Sequence, residues 1–217
     1  GFDPSQVSAA GDQSSNTFQQ CKTGADANKY TECRIIGTVN SVQAFWGGEL
    51  PRYGKQWQET QTVLYDGSTQ SACGTASNQV GPFYCPLDKR LYIDLDFFRE
   101  LSDRFGAPGD FAQAYVIAHE IGHHVQDELG ILAKATEIRQ QVSQEESNAI
   151  SVRIELQADC LSGIWAREAA QTLGVIERGD LEEAVNAARQ IGDDTLQRNA
   201  GQRPMPHTFT HGTSEQR

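Results

Sequence analysis

The chain lacks the features that mark several large classes of protein. No apolar run approaches the roughly 18 residues that a helix needs to cross a bilayer, so no membrane-spanning segment is expected within it. Basic residues are few: 18 Lys and Arg stand against 29 Asp and Glu, for a net charge of −11. A nucleic-acid partner is therefore not expected, because phosphate backbones are bound by clustered cations. The first residues, Gly1-Phe2-Asp3-Pro4, show no initiator Met, basic n-region or apolar h-region, so no signal peptide is legible and the start reads as processed. No CxxC pair occurs among the five cysteines, which removes the usual zinc-knuckle arrangement. Cys21 and Cys33 instead repeat the spacing of Cys73 and Cys85, with Gly, Asn, Ser or Pro inside each loop. That spacing suits two local disulfides, each worth about 3 kcal/mol through the entropy of the unfolded chain, and disulfides imply an oxidising compartment. Cys160, in an apolar helical segment, is left as a buried free thiol.

With 38% hydrophobic and 22% charged residues, 217 residues suffice for one sizeable domain with its own core. Residues 1–18, rich in Ser, Gln, Ala and Gly, read as a poorly ordered linker, which leaves 19–217 as a single domain. Between Ile35 and Trp57, the apolar positions Ile36, Val39, Val42, Phe45 and Trp46 predict an amphipathic helix that Gly47-Gly48 stops. Three strands follow, at Thr62 to Tyr65, Val80 to Cys85 and Leu91 to Leu95, as a small antiparallel sheet with a turn at Asp66-Gly67. Helices are predicted from Phe97 to Phe105, from Asp110 after the break at Pro108-Gly109, from Thr136 to Leu173 as one long or two successive helices, and from Asp180 to Ile191. The fold class is therefore α+β and mostly helical.

The chemistry concentrates in Ala118-His119-Glu120-Ile121-Gly122-His123-His124, which contains an HExxH string. On a helix, His119 and His123 are one turn apart on one face, so both imidazoles reach one metal ion. Zinc suits them: it accepts neutral imidazole nitrogen at about 2.0–2.1 Å and tolerates an incomplete protein shell. Glu120, about 100° further round, faces the open position and can take a proton from water whose pKa the cation lowers. The string alone arises by chance in about one chain of this length in a hundred, so its surroundings must decide. Phe111, Tyr115, Ala118, Gly122, Val125 and Leu129 form the core stripe of this helix, with both ligands at its margin and Gly130 to end it.

Glu155 and Asp159 lie four apart on a helix flanked by Ile154, Leu156, Leu161 and Trp165. Carboxylates on so apolar a helix are costly to bury without a cationic partner, and zinc with its imidazoles would supply one. Glu155 then gives the third ligand oxygen, while Asp159 accepts the second ring N–H of a zinc-bound histidine, best His119. In the C-terminal loop, His211 is the candidate to stabilise the oxyanion of a tetrahedral intermediate, ahead of His207. His124 lies off the ligand face and reads as a hydrogen-bonding residue, and Tyr115 as core.

Cys73-Gly74, Gly81-Pro82-Phe83-Tyr84-Cys85-Pro86, the HExxH segment through Val125-Gln126, Glu155-Leu156-Gln157-Ala158-Asp159-Cys160 and His211-Gly212-Thr213-Ser214-Glu215-Gln216-Arg217 occur in this order. Together they make the chain resemble the bacterial neutral zinc metallopeptidase family over most of 35–217. The resemblance implies a zincin-like fold of the gluzincin type, in which Glu155 and Asp159 form the ExxxD motif. It also implies an N-terminal membrane anchor or export signal and an extracytoplasmic location in the bacterial envelope. The expectation is one zinc per chain held by His119, His123 and Glu155, with Glu120 as general base in the hydrolysis of a peptide or protein. That peptide would lie along Leu91 to Leu95 by strand addition. Two other readings use the same residues: a zinc-stabilised module that binds a partner protein without catalysis, and a hydrolase of a non-peptide amide such as a cell-wall link.

Overall fold

A computed structural model of the chain describes residues 2–10, 18–77, 81–105, 110–174 and 176–217. The chain divides into two compact units, Gly1–Val125 and Gln126–Arg217.

The first unit is built on a four-stranded sheet of β1 (Val7–Ala9), β2 (Gln61–Tyr65), β6 (Arg90–Asp94) and β5 (Phe83–Cys85), in that order. A separate hairpin joins β3 (Ser68–Ser71) to β4 (Gly74–Ser77). Where the sequence predicts antiparallel pairing, the sheet is mixed: β1 and β6 both run parallel to β2, and only β5 is antiparallel to β6. The cause is the strand hidden near the N-terminus. A helix, α2 (Thr31–Glu49), carries the chain between β1 and β2, and a crossover of that length returns the chain in the same direction. Val80, the expected start of β5, lies outside the described residues.

Residues 4–9, which composition assigns to a poorly ordered lead-in, form a 3-10 turn (Pro4–Gln6) and then β1. Three residues are too few for a legible alternation, yet Val7 is buried and Asn40 on α2 bonds both the N–H and the carbonyl of Asp3. The Phe2 ring sits 2.9 Å from where a Cβ at residue 37 would be, so Gly37 is what admits it. The helix α2 itself passes through Gly47-Gly48 and gives way to a 3-10 turn (Leu50–Tyr53) closed by Gly54 at φ 70°. Leu50 is buried one turn beyond Trp46, and burying a leucine is worth more than the roughly 1 kcal/mol that a helical glycine costs. Buried Gln43 on α2 clamps the start of β2, donating to the Thr60 carbonyl and accepting from its N–H.

Strand β6 is interior, paired with β2 along its whole length and with β5 over Arg90–Tyr92. It therefore has no edge at Leu91 and Tyr92 to which a peptide could add, and the expected docking along this strand is corrected. The edges are β1 and β5. After a short α1 (Gly24–Ala27) the two expected disulfides, Cys21–Cys33 and Cys73–Cys85, are both present. Helix α3 (Leu95–Phe105) begins two residues early because the Asp94 carboxylate accepts the N–H of Asp96 and so caps it. Burial raises the pKa of that carboxyl against the capping bond, and the charges of Asp96 and Asp66 add to the rise. The expected break at Pro108-Gly109 lies outside the described residues.

Helix α4 (Asp110–Glu128) carries the HExxH string and is followed by Gly130 at φ 77°. The expected stripe is buried at Phe111, Tyr115, Ala118 and Val125, but so are Ala112, Val116, Ile117, His119 and Ile121, so burial extends round the helix.

The second unit is helical: α5 (Ile131–Arg139), α6 (Gln144–Leu173), α7 (Asp180–Gln190) and α8 (Asp193–Asn199). The expected long helical stretch is thus two helices, and α6 starts at Ser143, whose hydroxyl and Glu146 form a capping box. Its inner row is Ala158, Ser162, Trp165 and Ala169, at spacings of four, three and four. Cys160 is two residues off that row, on the opposite side, and is an exposed thiol rather than the buried one expected. In the tail, Gly192 admits the close pass of Ser214, whose N lies 2.4 Å from where a Cβ would be.

Candidate metal centre

Helix α4 gathers its own three chemical residues. Ligand atoms of His119, Glu120 and His123 all lie within 4.8 Å of one another. The two imidazoles meet edge to face, with centroids 4.7 Å apart, and His119 and Glu120 are 5% and 9% exposed. Tyr115 packs one turn earlier, its ring centroid 6.0 Å from that of His119. Two imidazoles beside a carboxylate form a nitrogen and oxygen donor set that suits zinc, which accepts both ligand types and needs no full protein shell. The cluster fits a single ion.

His124 stands apart from this cluster and anchors the helix. Its Nε2 donates to the Gln58 carbonyl at 2.7 Å, since a carbonyl can only accept, and its Nδ1 takes the Tyr84 hydroxyl at 2.8 Å. Trp57 closes over the ring edge-on. Both ring nitrogens are thus engaged by the protein, in keeping with the hydrogen-bonding role expected for it. At the other end, Arg34 on α2 pairs with Asp110 at 2.8 Å and bonds Gln113.

The remaining candidates belong to the second unit, where one cation collects two of them. Arg217, its side chain 1% exposed, donates Nε to Oδ2 of Asp159 and a second guanidinium nitrogen to Oδ1 at 3.0 Å. The same guanidinium approaches Glu155 only to 3.9 Å. Arg217 thus supplies a cation to these two carboxylates of α6. Arg217 lies inside a recognisable motif, but a distant arginine leaves no periodic signal linking it to Asp159.

His211 is held by Asp193, the first residue of α8. Oδ1 takes the ring Nδ1 at 3.1 Å, and Oδ2 accepts the backbone N–H groups of Thr210, His211 and Gly212. The hydrogen bond to Asp193 raises the pKa of His211 against partial burial, and the charge of Glu155 adds to the rise. Burial works to raise Asp193, but its bonds from the His211 ring and from the backbone outweigh that and hold its carboxyl below the ordinary range. Asp193 is the residue that sequence reasoning passed over. His207 is exposed, as is His211.

Asp193→Ala leaves three backbone N–H groups without their acceptor and is expected to cost about 2–4 kcal/mol in urea unfolding at neutral pH. Because the folded-state pKa of Asp193 is depressed, its contribution is present above the ordinary aspartate pKa and is lost as pH falls through the folded value. The gap between wild type and variant should therefore close below that pH, and a gap that persists in acid would contradict the role.

Comparison with known proteins gives this geometry its relatives. Over residues 1–217 the chain matches the family described as "Putative neutral zinc metallopeptidase". It is 50% identical over 192 residues to the uncharacterized protein YpfJ of Escherichia coli (strain K12), covering 88% of this chain and 65% of that protein. It is 44% identical over 210 residues to the uncharacterized protein Rv2575 of Mycobacterium tuberculosis, covering 92% of this chain and 69% of that protein. The chain thus spans a little under two thirds of the length of the Escherichia coli relative. No solved structure matches it.

Proposed function

The chain belongs to the neutral zinc metallopeptidase family, and from that premise we propose that it hydrolyses peptide bonds in a peptide or protein substrate. The observation that carries the reading is the gathering of His119, Glu120 and His123 on one buried helix. His119 and His123 would hold one zinc ion through their ring nitrogens. Bound there, zinc supplies Lewis acidity and brings the pKa of water down toward about 7. Glu120 takes the proton of the attacking water and delivers it to the leaving amine nitrogen.

Glu155 is the proposed third ligand. Arg217 forks onto Asp159 and lies 3.9 Å from Glu155, and in this reading zinc is the further cation that Glu155 meets. His211 serves as hydrogen-bond donor to the oxyanion, its ring oriented by the bond to Oδ1 of Asp193. The two disulfides support action in an oxidising compartment outside the cytoplasm.

Purified protein should carry about one zinc per chain and cleave an unfolded protein, with cleavage stopped by chelation and restored by zinc. Glu155→Ala should weaken zinc binding by about a hundredfold or more, whereas Asp127→Ala should leave it near wild type. A protein that takes up no zinc would sink the proposal, and equal losses in the two variants would remove Glu155 from the ligand set.

A further inference from the structure

We propose that the C-terminal ends of β2 and β6 form a second cation site, built from Asp66, Asp94 and Asp96 and selective for calcium. The parallel register of the two strands sets Tyr65 beside Asp94, so both strands finish at the same level. Asp66 follows β2 in the turn that Gly67 makes at φ 83°, and Asp96 opens the first turn of α3. One carboxylate oxygen from each of the three residues lies within 4.8 Å of the others.

The decisive residue is Asp94, which is 0% exposed. Its Oδ1 accepts the Asp96 N–H at 3.0 Å, but its Oδ2 has no hydrogen-bond partner among the described residues. Capping of α3 explains the first oxygen and leaves the second unexplained. A carboxyl oxygen buried without a hydrogen-bond partner is costly, and this one sits in a group with two further acids. Arg99 donates to Oδ1 of Asp96 at 2.5 Å and is itself largely exposed. A divalent ion among the three carboxylates would satisfy Asp94 Oδ2 and neutralise its neighbours together.

The donor set decides which ion. Three carboxylates with no imidazole or thiolate favour a hard cation over zinc. Calcium binds oxygen at about 2.3–2.6 Å, so its ligands stand at most roughly 5 Å apart, a condition that three oxygens within 4.8 Å of one another meet. Magnesium demands near-ideal octahedral geometry and gives up its water reluctantly, which three carboxylates from a turn, a strand end and a helix start suit less well. Asp66 is exposed, which leaves room for water to complete calcium's coordination of six to eight oxygens. Bound calcium would tie the β2–β3 turn to the start of α3. The site shares no residue with the histidine cluster.

The experiment titrates calcium chloride into zinc-loaded protein from which calcium has been removed, by calorimetry and by thermal melting. One calcium per chain is expected, with a rise in Tm of roughly 5 °C at saturation. The double variant Asp66→Asn/Asp96→Asn alters only the less buried residues of the group and spares the buried Asp94. It should bind calcium at least about tenfold more weakly while keeping its zinc content. The proposal is overturned if calcium gives neither heat nor a shift in Tm, if the double variant responds like wild type, or if magnesium binds as tightly as calcium.

Discussion

Glu120→Gln is expected to lower the kcat of peptide hydrolysis by about a thousandfold or more while zinc stays near one ion per chain. General base catalysis contributes roughly a hundred to ten thousandfold to such reactions, and the amide keeps the size and shape of the acid while losing its ability to accept a proton. Glu120 is 9% exposed within the histidine cluster, so an isosteric change should leave the packing of α4 intact. The loss should fall on kcat rather than KM, because proton transfer belongs to the transition state and not to substrate binding. The measurement is steady-state cleavage of an unfolded protein by wild type and variant at matched zinc occupancy. A variant as active as wild type would remove Glu120 as the base. Inactivity of both proteins with zinc bound would favour a module that uses the ion only to hold its fold. Inactivity on peptides together with cleavage of another amide would redirect the substrate and leave the residue roles standing.

The sequence made the motif helix legible because its chemistry is local. His119, Glu120 and His123 fall within a turn and a half, and helical spacing alone brings their ligand atoms within 4.8 Å. The disulfides were legible for the same reason, being short loops with paired spacing. What escaped was non-local or too brief to carry a period. Strand β1 has three residues and no alternation, yet with the crossover through α2 it brings a parallel pairing into the sheet. Interior placement of β6 depends on the order of strands, which no single strand encodes, so the strand pattern alone does not show that a peptide edge is missing there. Cys160 reads as apolar from its neighbours, but its exposure follows from the inner row that Ala158, Ser162, Trp165 and Ala169 define. Arg217 and Asp193 act across 58 and 18 residues, on Asp159 and His211 respectively. Chemistry demanded cations and anchors there, but only the fold could say which residues supply them.

Arg217→Ala is expected to destabilise the second unit by about 3–5 kcal/mol, the range for removing one partner of a buried ion pair. Its side chain is 1% exposed and is the fork on Asp159, with Glu155 at 3.9 Å, so truncation takes a buried cation from two carboxylates one turn apart on α6. Urea unfolding of the variant, of Asp159→Asn and of the double variant forms a thermodynamic cycle. Neutralising Asp159 should recover part of the loss, giving a coupling of about 1–3 kcal/mol. A single-variant loss below about 1 kcal/mol would mean that the pair is screened by water like a surface bridge. Zinc sharpens the test, because it connects this pair to the proposed ligand role of Glu155. If Glu155 is a ligand, saturating zinc should offset a larger share of the loss in Arg217→Ala than in Arg217→Ala/Glu155→Ala, since the ion takes over the charge that the guanidinium no longer balances. Equal rescue of both variants would leave Arg217 as the partner of Glu155 and take Glu155 out of the metal's coordination.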